Sequence, residues 1–248
     1  MKLKILSMNI HKGFSIFNNR FTLHELKEAL QETDADLVFL QEVVGENLKL
    51  SKKIPHWPGT NHCEFLSANK WPYHVYGKNA TYHQRHHGNA ILSRFPIVFA
   101  ENIPLSNYKL EQRGLLHCAV KIPALDVPLH LFNVHLDLTH FSRKKQLQKI
   151  IARAHSHVPA KTPLILAGDF NDWSKQASPT LWQSLELKES SKTHAGDYQR
   201  SFPNFFPILR LDRLYYRHLK IILAETWQHA PWSNLSDHLP LVIEFEIE

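Results

Sequence analysis

The stretch LILAGDFNDW, residues 164–173, is an apolar run that stops at two aspartates with an asparagine between them. Taken alone it reads as a buried strand reaching an ordinary turn, because Gly, Asp and Asn are common turn residues. The neighbouring segments change that reading. LHLFNVH (129–135) has the length and composition of a strand, and RKKQLQKIIARAHSHV (143–158) sets Leu147, Ile150, Ile151 and Ala154 on one side of a helix. With PLILAG (163–168) the order becomes strand, helix, strand, and two parallel strands so joined need a crossover with the helix on one sheet face.

The same order occurs near the start. LKILSMN (3–9) reads as a strand, TLHELKEALQET (22–33) as a helix with Leu23, Leu26 and Leu30 on one face, and DLVFLQ (36–41) as a second buried strand. Thr22 and Glu25 stand at capping-box spacing. NIH (Asn9, Ile10, His11) answers to NVH (Asn133, Val134, His135), and QE (Gln41, Glu42) to GD (Gly168, Asp169), which predicts two related halves facing each other.

Open α/β sheets place ligand sites at the carboxyl ends of strands, where side chains leave the core and converge on a crevice. Asn9, Glu42, His135, Asp169 and Asn171 are all expected at such ends. The tail SDHLPLVIEFEIE (236–248) sets Asp237 and His238 before an alternating strand, with Val242, Glu244, Glu246 and Glu248 on one side and Leu241, Ile243, Phe245 and Ile247 on the other. Upstream, Asp212 falls inside the strand-forming run LRLDRLYYR (209–217). A carboxylate there needs a partner, since an unpaired buried charge costs several kcal/mol, and a histidine is the obvious one.

The totals set bounds. At 248 residues and 43% hydrophobic content the chain suits one large core, so a single domain spanning 1–248 is expected. Lys and Arg outnumber Asp and Glu by 29 to 23, a net charge of +6 that favours polyanionic partners. Cys63 and Cys118 provide neither a disulfide framework nor a four-thiolate zinc site and read as free thiols in a reducing compartment. Eighteen histidines, three of them in YHQRHHGN (82–89), match no zinc-binding spacing, so most are surface or packing residues. The N-terminus reads as a strand and not an export signal, and no run reaches membrane-spanning length, which makes a cytoplasmic location the expectation. Nothing in the chain sets an oligomeric state, and a monomer is expected.

Five segments in order, LSMNIHKG, LVFLQEV, HGNAILSRFPI, AGDFND and LSDHLPL, resemble the endonuclease/exonuclease/phosphatase superfamily, which includes DNase I-like nucleases, sphingomyelinases and inositol-phosphate phosphatases. They span residues 6–241, nearly the whole chain, and compact bacterial members look most similar. The resemblance implies a four-layered α/β/β/α sandwich of two packed mixed sheets flanked by helices. It implies a Mg²⁺- or Mn²⁺-dependent phosphoric ester hydrolase, since one or two carboxylates with a substrate phosphate is how Mg²⁺ is usually held.

Carried over residue by residue, Glu42 matches the principal metal carboxylate, Asp237 a second one nearby, and Asn9 a residue steering water or a phosphate oxygen beside the metal. Asp169 and Asn171 match the pair that orients the attacking water and the phosphoryl oxygens. His238 held by Asp212 matches a His/Asp dyad, and His135 and Arg113 match phosphate-contacting positions. Whether Asp169 or His238 takes the proton from water stays open. Gly88, Asn89 and Ser93 are expected to shape a turn and the strand after it, Asn133 and Ser236 to satisfy backbone groups beside the site, and Asp172 and Trp173 to be loop residues. The abasic-site repair branch typically has tyrosine where this chain has His135, so the histidine points toward the digestive-nuclease or sphingomyelinase-like side.

Three functions follow from the resemblance. The first is a phosphodiesterase acting on DNA or RNA by in-line attack of water. The second is the same chemistry on a lipid head group or inositol phosphate, favoured if aromatics such as Trp57, Trp71 or Trp232 line the cleft mouth. The third is a binding module that keeps the scaffold without catalysis.

Overall fold

The computed structural model describes residues 1–106 and 112–247. Among the described residues twelve strands and six α-helices follow one another in chain order: β1 (Lys2–Asn9), α1 (Leu23–Glu32), β2 (Leu37–Asn47), α2 (Leu48–Ser51), α3 (His62–Ser67), β3 (Tyr73–Tyr82), β4 (Arg85–Ser93), β5 (Ile97–Pro104), β6 (Gly114–Val120), β7 (Leu129–His135), α4 (His140–His157), β8 (Leu164–Asp169), α5 (Ala177–Leu185), β9 (Lys188–Glu189), α6 (Ser190–Ala195), β10 (Asp212–Arg217), β11 (Lys220–Thr226) and β12 (Leu241–Glu246). One sheet has the order β11-β12-β1-β2-β4-β3 and the other β5-β6-β7-β8-β10-β9.

Period-two alternation explains the layering. Leu3, Ile5, Leu37, Phe39, Leu131, Ile165, Ala167, Leu214 and Ile243 point between the sheets and form one shared apolar layer. Their alternates face the helices. Leu6, Met8, Val38 and Leu40 pack against Leu23, Leu26 and Leu30 of α1, while Phe132, Val134 and Leu166 pack against Leu147, Ile150 and Ala154 of α4. The result is the expected helix, sheet, sheet, helix sandwich. In β12 the expected alternation holds for Leu241 to Ile247, and Glu248 lies outside the described residues.

The duplicated unit is present as topology. In each sheet a parallel pair, β1 with β2 or β7 with β8, is flanked on both sides by antiparallel strands. The residue correspondence is offset by one, however. Asn9 sits opposite Gln41, whereas Asn133 sits opposite Ala167 and it is His135 that faces Asp169. Aligned through the two asparagines, Glu42 therefore answers to Gly168 and not to Asp169.

Three local expectations are corrected. The Thr22 hydroxyl does not cap α1; it donates to the Leu235 carbonyl 2.7 Å away, and Glu25 pairs instead with Arg20. A tertiary hydrogen-bond partner has displaced the local one. The second long helix starts at His140, not Arg143, because Thr139 accepts from the Ser142 amide. Gly88, Asn89 and Ser93 belong to the body of β4; the turn lies before it, and a Cβ on Gly88 would come within 1.8 Å of the Gly77 carbonyl of the adjacent strand.

Candidate active site

Toward one end of the sandwich the inter-sheet layer turns from apolar to polar. Residues continuing the inward-facing series past Ile5, Phe39, Leu131, Ala167 and Leu214 are Asn9, Gln41, Asn133, His135, Asp169 and Asp212, all buried. Burial without partners would be costly, and most of these groups are paired. Asn133 ties the sheets together: its amide donates to the carbonyls of Leu40 (3.0 Å) and Ala90 (2.8 Å), and its oxygen accepts from Gln41 (2.8 Å). The Ser236 hydroxyl donates to the Asn9 carbonyl at 2.7 Å and accepts from the His238 amide. Both residues thus do the backbone work expected of them.

Strict alternation would send Glu42 to the helix side with Leu40. A β-bulge prevents this: β2 has one extra residue between Leu40, opposite Ala90, and Val43, opposite Gly88, and Glu42 takes a left-handed backbone with φ +57°. A non-glycine residue held there carries strain of the kind found at functional sites. Its carboxylate accepts from the Asn9 amide at 3.3 Å and from the Lys12 ammonium. Burial alone would raise the Glu42 carboxyl, yet positive charge on its neighbours, His135 when protonated and Lys12, holds it far below the usual carboxylate range. Because His135 and His87 are themselves each pushed down to about 4, chiefly by burial, the neutral-pH cation on Glu42 is Lys12.

Asp169 is the hub. Gly168, with φ +138° and no room for a Cβ against the Val134 carbonyl, delivers it to the end of β8. Its Oδ2 lies 3.2 Å from the Asn9 amide, 3.5 Å from His135 Nε2 and 3.8 Å from His238 Nε2, and its Oδ1 accepts from the Asn171 amide at 3.0 Å. Asn171 is itself fixed, with a left-handed backbone (φ +47°) and its side-chain amide on the Leu136 carbonyl. Asp212, opposite Asp169 in the β8–β10 register, accepts from His238 Nδ1 at 2.8 Å and from the Ser201 hydroxyl. Burial would lower His238, but the Asp212 carboxylate and its hydrogen bond, with Asp169 and Asp237, raise it to about 10.

Glu42, Asn9, Asp169, Asn171, His135, Asp212 and His238 are therefore brought together by direct contacts. Arg113 lines the cleft beside Glu42, His87 and Lys12, and Asp237 faces His11 at 3.6 Å. Lys12 and His87 escaped the sequence reading; Lys12 lies within the NIHKG segment but nothing in its type marks it. Asp172 is more than a loop residue, since its carboxylate accepts from the Ala177 amide and the Ser174 hydroxyl at the start of α5. Trp71 and Trp232 are buried and Trp57 stacks on Phe21, so none of the three tryptophans forms a cleft mouth. Cys63 and Cys118 are free and buried. No helix among the described residues is long and apolar enough to cross a membrane.

Two places could attract a cation. Ligand atoms of Asp169, Asp212 and His238 lie within 4.8 Å of one another, but a His238 held as a cation by Asp212 repels a metal ion. Glu42 fits better: an ionised carboxylate at the wall of a cleft of about 750 Å³, with the Asn9 side chain beside it and the Lys12 ammonium as the partner that an ion would displace. That hard-oxygen set suits Mg²⁺ or Mn²⁺.

Known proteins resemble this chain in sequence and in fold. A profile described as the Endonuclease/Exonuclease/phosphatase family matches residues 6–238. The uncharacterized protein YbhP of Escherichia coli K12 is 40% identical over 244 residues, covering 98% of this chain and 96% of that one. Among solved structures, a functionally unknown conserved protein from Enterococcus faecalis V583 superposes with a TM-score of 0.77 at 18% identity, over 99% of this chain and 100% of the other. D. rerio TDP2 complexed with a single-strand DNA product superposes at 0.72 and 18% identity, over 99% of each chain. The chain belongs to the endonuclease/exonuclease/phosphatase family, whose members hydrolyse phosphoester bonds.

Proposed function

We propose that the protein is a Mg²⁺- or Mn²⁺-dependent phosphodiesterase in which water attacks phosphorus in line with the leaving oxygen. The observation that carries this reading is the convergence on Asp169 Oδ2 of Asn9, His135 and His238 within 3.2–3.8 Å, with Asn9 bridging onward to Glu42. Glu42 would hold the ion, with Asp237 and Asn9 beside it; when bound, the ion polarises the phosphoryl oxygen and stabilises the leaving oxygen.

The chain's own groups divide the remaining work. Asp169, oriented by the Asn171 backbone N–H, takes the proton of the attacking water. His238, kept cationic by Asp212, donates from Nε2 to a phosphoryl oxygen on which negative charge builds. His135 is neutral at pH 7 and contacts phosphate as an N–H donor, while Arg113 supplies a charged fork and Asn171 an amide.

Two substrate classes suit this chemistry. A DNA or RNA strand is supported by Lys12, Arg85, Arg113 and Tyr82 on the cleft wall, which they share with Glu42, Glu46 and Asp137, and by the net charge of +6. A lipid or inositol phosphodiester is supported by Phe17 and Leu138, exposed and next in sequence to the cleft-lining Asn18 and Asp137, and that rim favours the second class. The test is a panel of plasmid, oligonucleotide, phospholipid, inositol phosphate and an activated aryl phosphodiester, each with Mg²⁺ or EDTA and with a Glu42→Ala control. Metal-dependent turnover of at least the aryl diester, lost in the variant, is expected. Binding without any metal-stimulated hydrolysis would instead make the protein a catalytically silent module.

A further inference from the structure

Among the described residues the five most exposed large apolar side chains are Phe17 (75%), Phe205 (68%), Phe206 (66%), Leu138 (60%) and Phe141 (57%). All five lie on segments that join the site ends of strands. Phe17 follows β1 and Asn9, Leu138 and Phe141 follow β7 and His135, and Phe205 and Phe206 precede β10 and Asp212. Water-exposed apolar groups of this size are unfavourable for an isolated protein, and their gathering at one end marks a surface that meets something apolar.

The loop that carries Phe205 and Phe206 is pinned to the catalytic segment. The Asn204 amide donates to the Asp237 carbonyl at 2.9 Å, the Asn204 side chain to the Ser233 carbonyl at 2.6 Å, and the Leu239 amide to the Ser201 carbonyl at 2.8 Å. Phe202, at the base of the loop, packs its ring 4.9 Å from that of His238. The two outward phenyl groups are thus presented by a braced support beside the dyad and do not fold back onto the core.

Chemistry selects the occupant. Leu138 and Ile208, the latter half exposed on the same loop, have no π-face on which a base could stack, whereas aliphatic and phenyl groups together enter the acyl boundary of a bilayer. Basic residues lie at the same end: Lys144 and Lys145 follow Phe141 with the Lys145 ammonium 4.3 Å above its ring, and Lys175 follows β8. With a chain charge of +6, this pattern complements anionic head groups.

We propose that this rim is an interfacial surface that seats the protein on an anionic phospholipid bilayer with the cleft facing the head groups. The inference rests on the phosphodiesterase reading for its consequence, which is that the substrate class is a phospholipid. The full chain is floated with phosphatidylcholine vesicles, with or without about 30% phosphatidylglycerol, in EDTA so that no turnover is needed. Wild type is compared with Phe205→Ser/Phe206→Ser and with Trp182→Ser, an exposed aromatic on α5. Wild type and Trp182→Ser are expected to float with the anionic vesicles and the double variant to lose at least about tenfold in partitioning, while all three turn over a soluble aryl diester equally. Absence of wild-type flotation, or equal flotation of the double variant, overturns the proposal. So does loss of oligonucleotide binding in the double variant without vesicle binding, which would assign the rim to single-stranded nucleic acid. A soluble diester left uncleaved by wild type strikes the phosphodiesterase reading and leaves the flotation result standing.

Discussion

Nδ1 of His238 lies 2.8 Å from Oδ2 of Asp212, and both side chains are almost wholly buried. A pair this enclosed is stable only while both charges are present. Asp212→Asn is expected to lower kcat by roughly 10²–10⁴-fold. Steady-state kinetics on an aryl diester measures this, and an unchanged kcat would remove His238 from the chemistry.

The same pair makes stability depend on pH. His238 binds its proton more tightly in the folded protein, at about 10 against a reference of 6.5. Its stabilisation is complete below 6.5 and is lost as the pH rises through about 10. Thermal melts of the metal-free protein should show Tm declining across that window, with a flatter profile in His238→Gln.

His62 acts in the opposite direction. It is buried beside Phe21 and Trp57, neither ring nitrogen has a hydrogen-bond partner, and burial pushes it down to about 3. The unfolded chain takes up a proton below 6.5 that the folded protein refuses until about 3, so stability falls as the medium is acidified through that range. His62→Leu is expected to gain roughly 1–3 kcal/mol at pH 5, by removing two orphaned polar atoms. Denaturant titrations at pH 5 and pH 8 should show the larger gain at the lower pH.

Glu42 sets function against stability. Its left-handed backbone and buried carboxylate are costs that folding alone does not require. Glu42→Gly should abolish metal-dependent hydrolysis and leave Tm equal or higher, since glycine relaxes a strain of roughly 1–2 kcal/mol. A marked loss of Tm would show that the carboxylate is structural.

Gly168 admits no side chain. In Gly168→Ala the new Cβ would sit 1.9 Å from the Val134 carbonyl at φ +138°. A loss of at least about 3 kcal/mol is expected in chemical denaturation, together with reduced activity from a displaced Asp169.

Much of this was legible beforehand because it rests on alternation. Leu3 to Asn9, Leu37 to Gln41 and Leu164 to Asp169 carry their destinations in a period of two, and the polar residues extending those series mark where the core ends. What escaped depends on distant neighbours. Thr22 looks like a cap until Leu235 arrives from the far end of the chain, and Trp71 is buried because its indole N–H reaches the Ala35 carbonyl. Glu42 was identified from resemblance, but the bulge that aims it is invisible in LVFLQEV, whose residue types suit an uninterrupted strand. Lys12 became visible only when the carboxylate beside it was placed.

The central claim is that one divalent cation binds at Glu42, and a crystal grown with Mn²⁺ tests it without any assay of turnover. An anomalous peak about 2.0–2.6 Å from the Glu42 carboxylate is predicted. A peak held by Asp169, Asp212 and His238 with Glu42 uninvolved, or no peak at saturating Mn²⁺, would contradict the account.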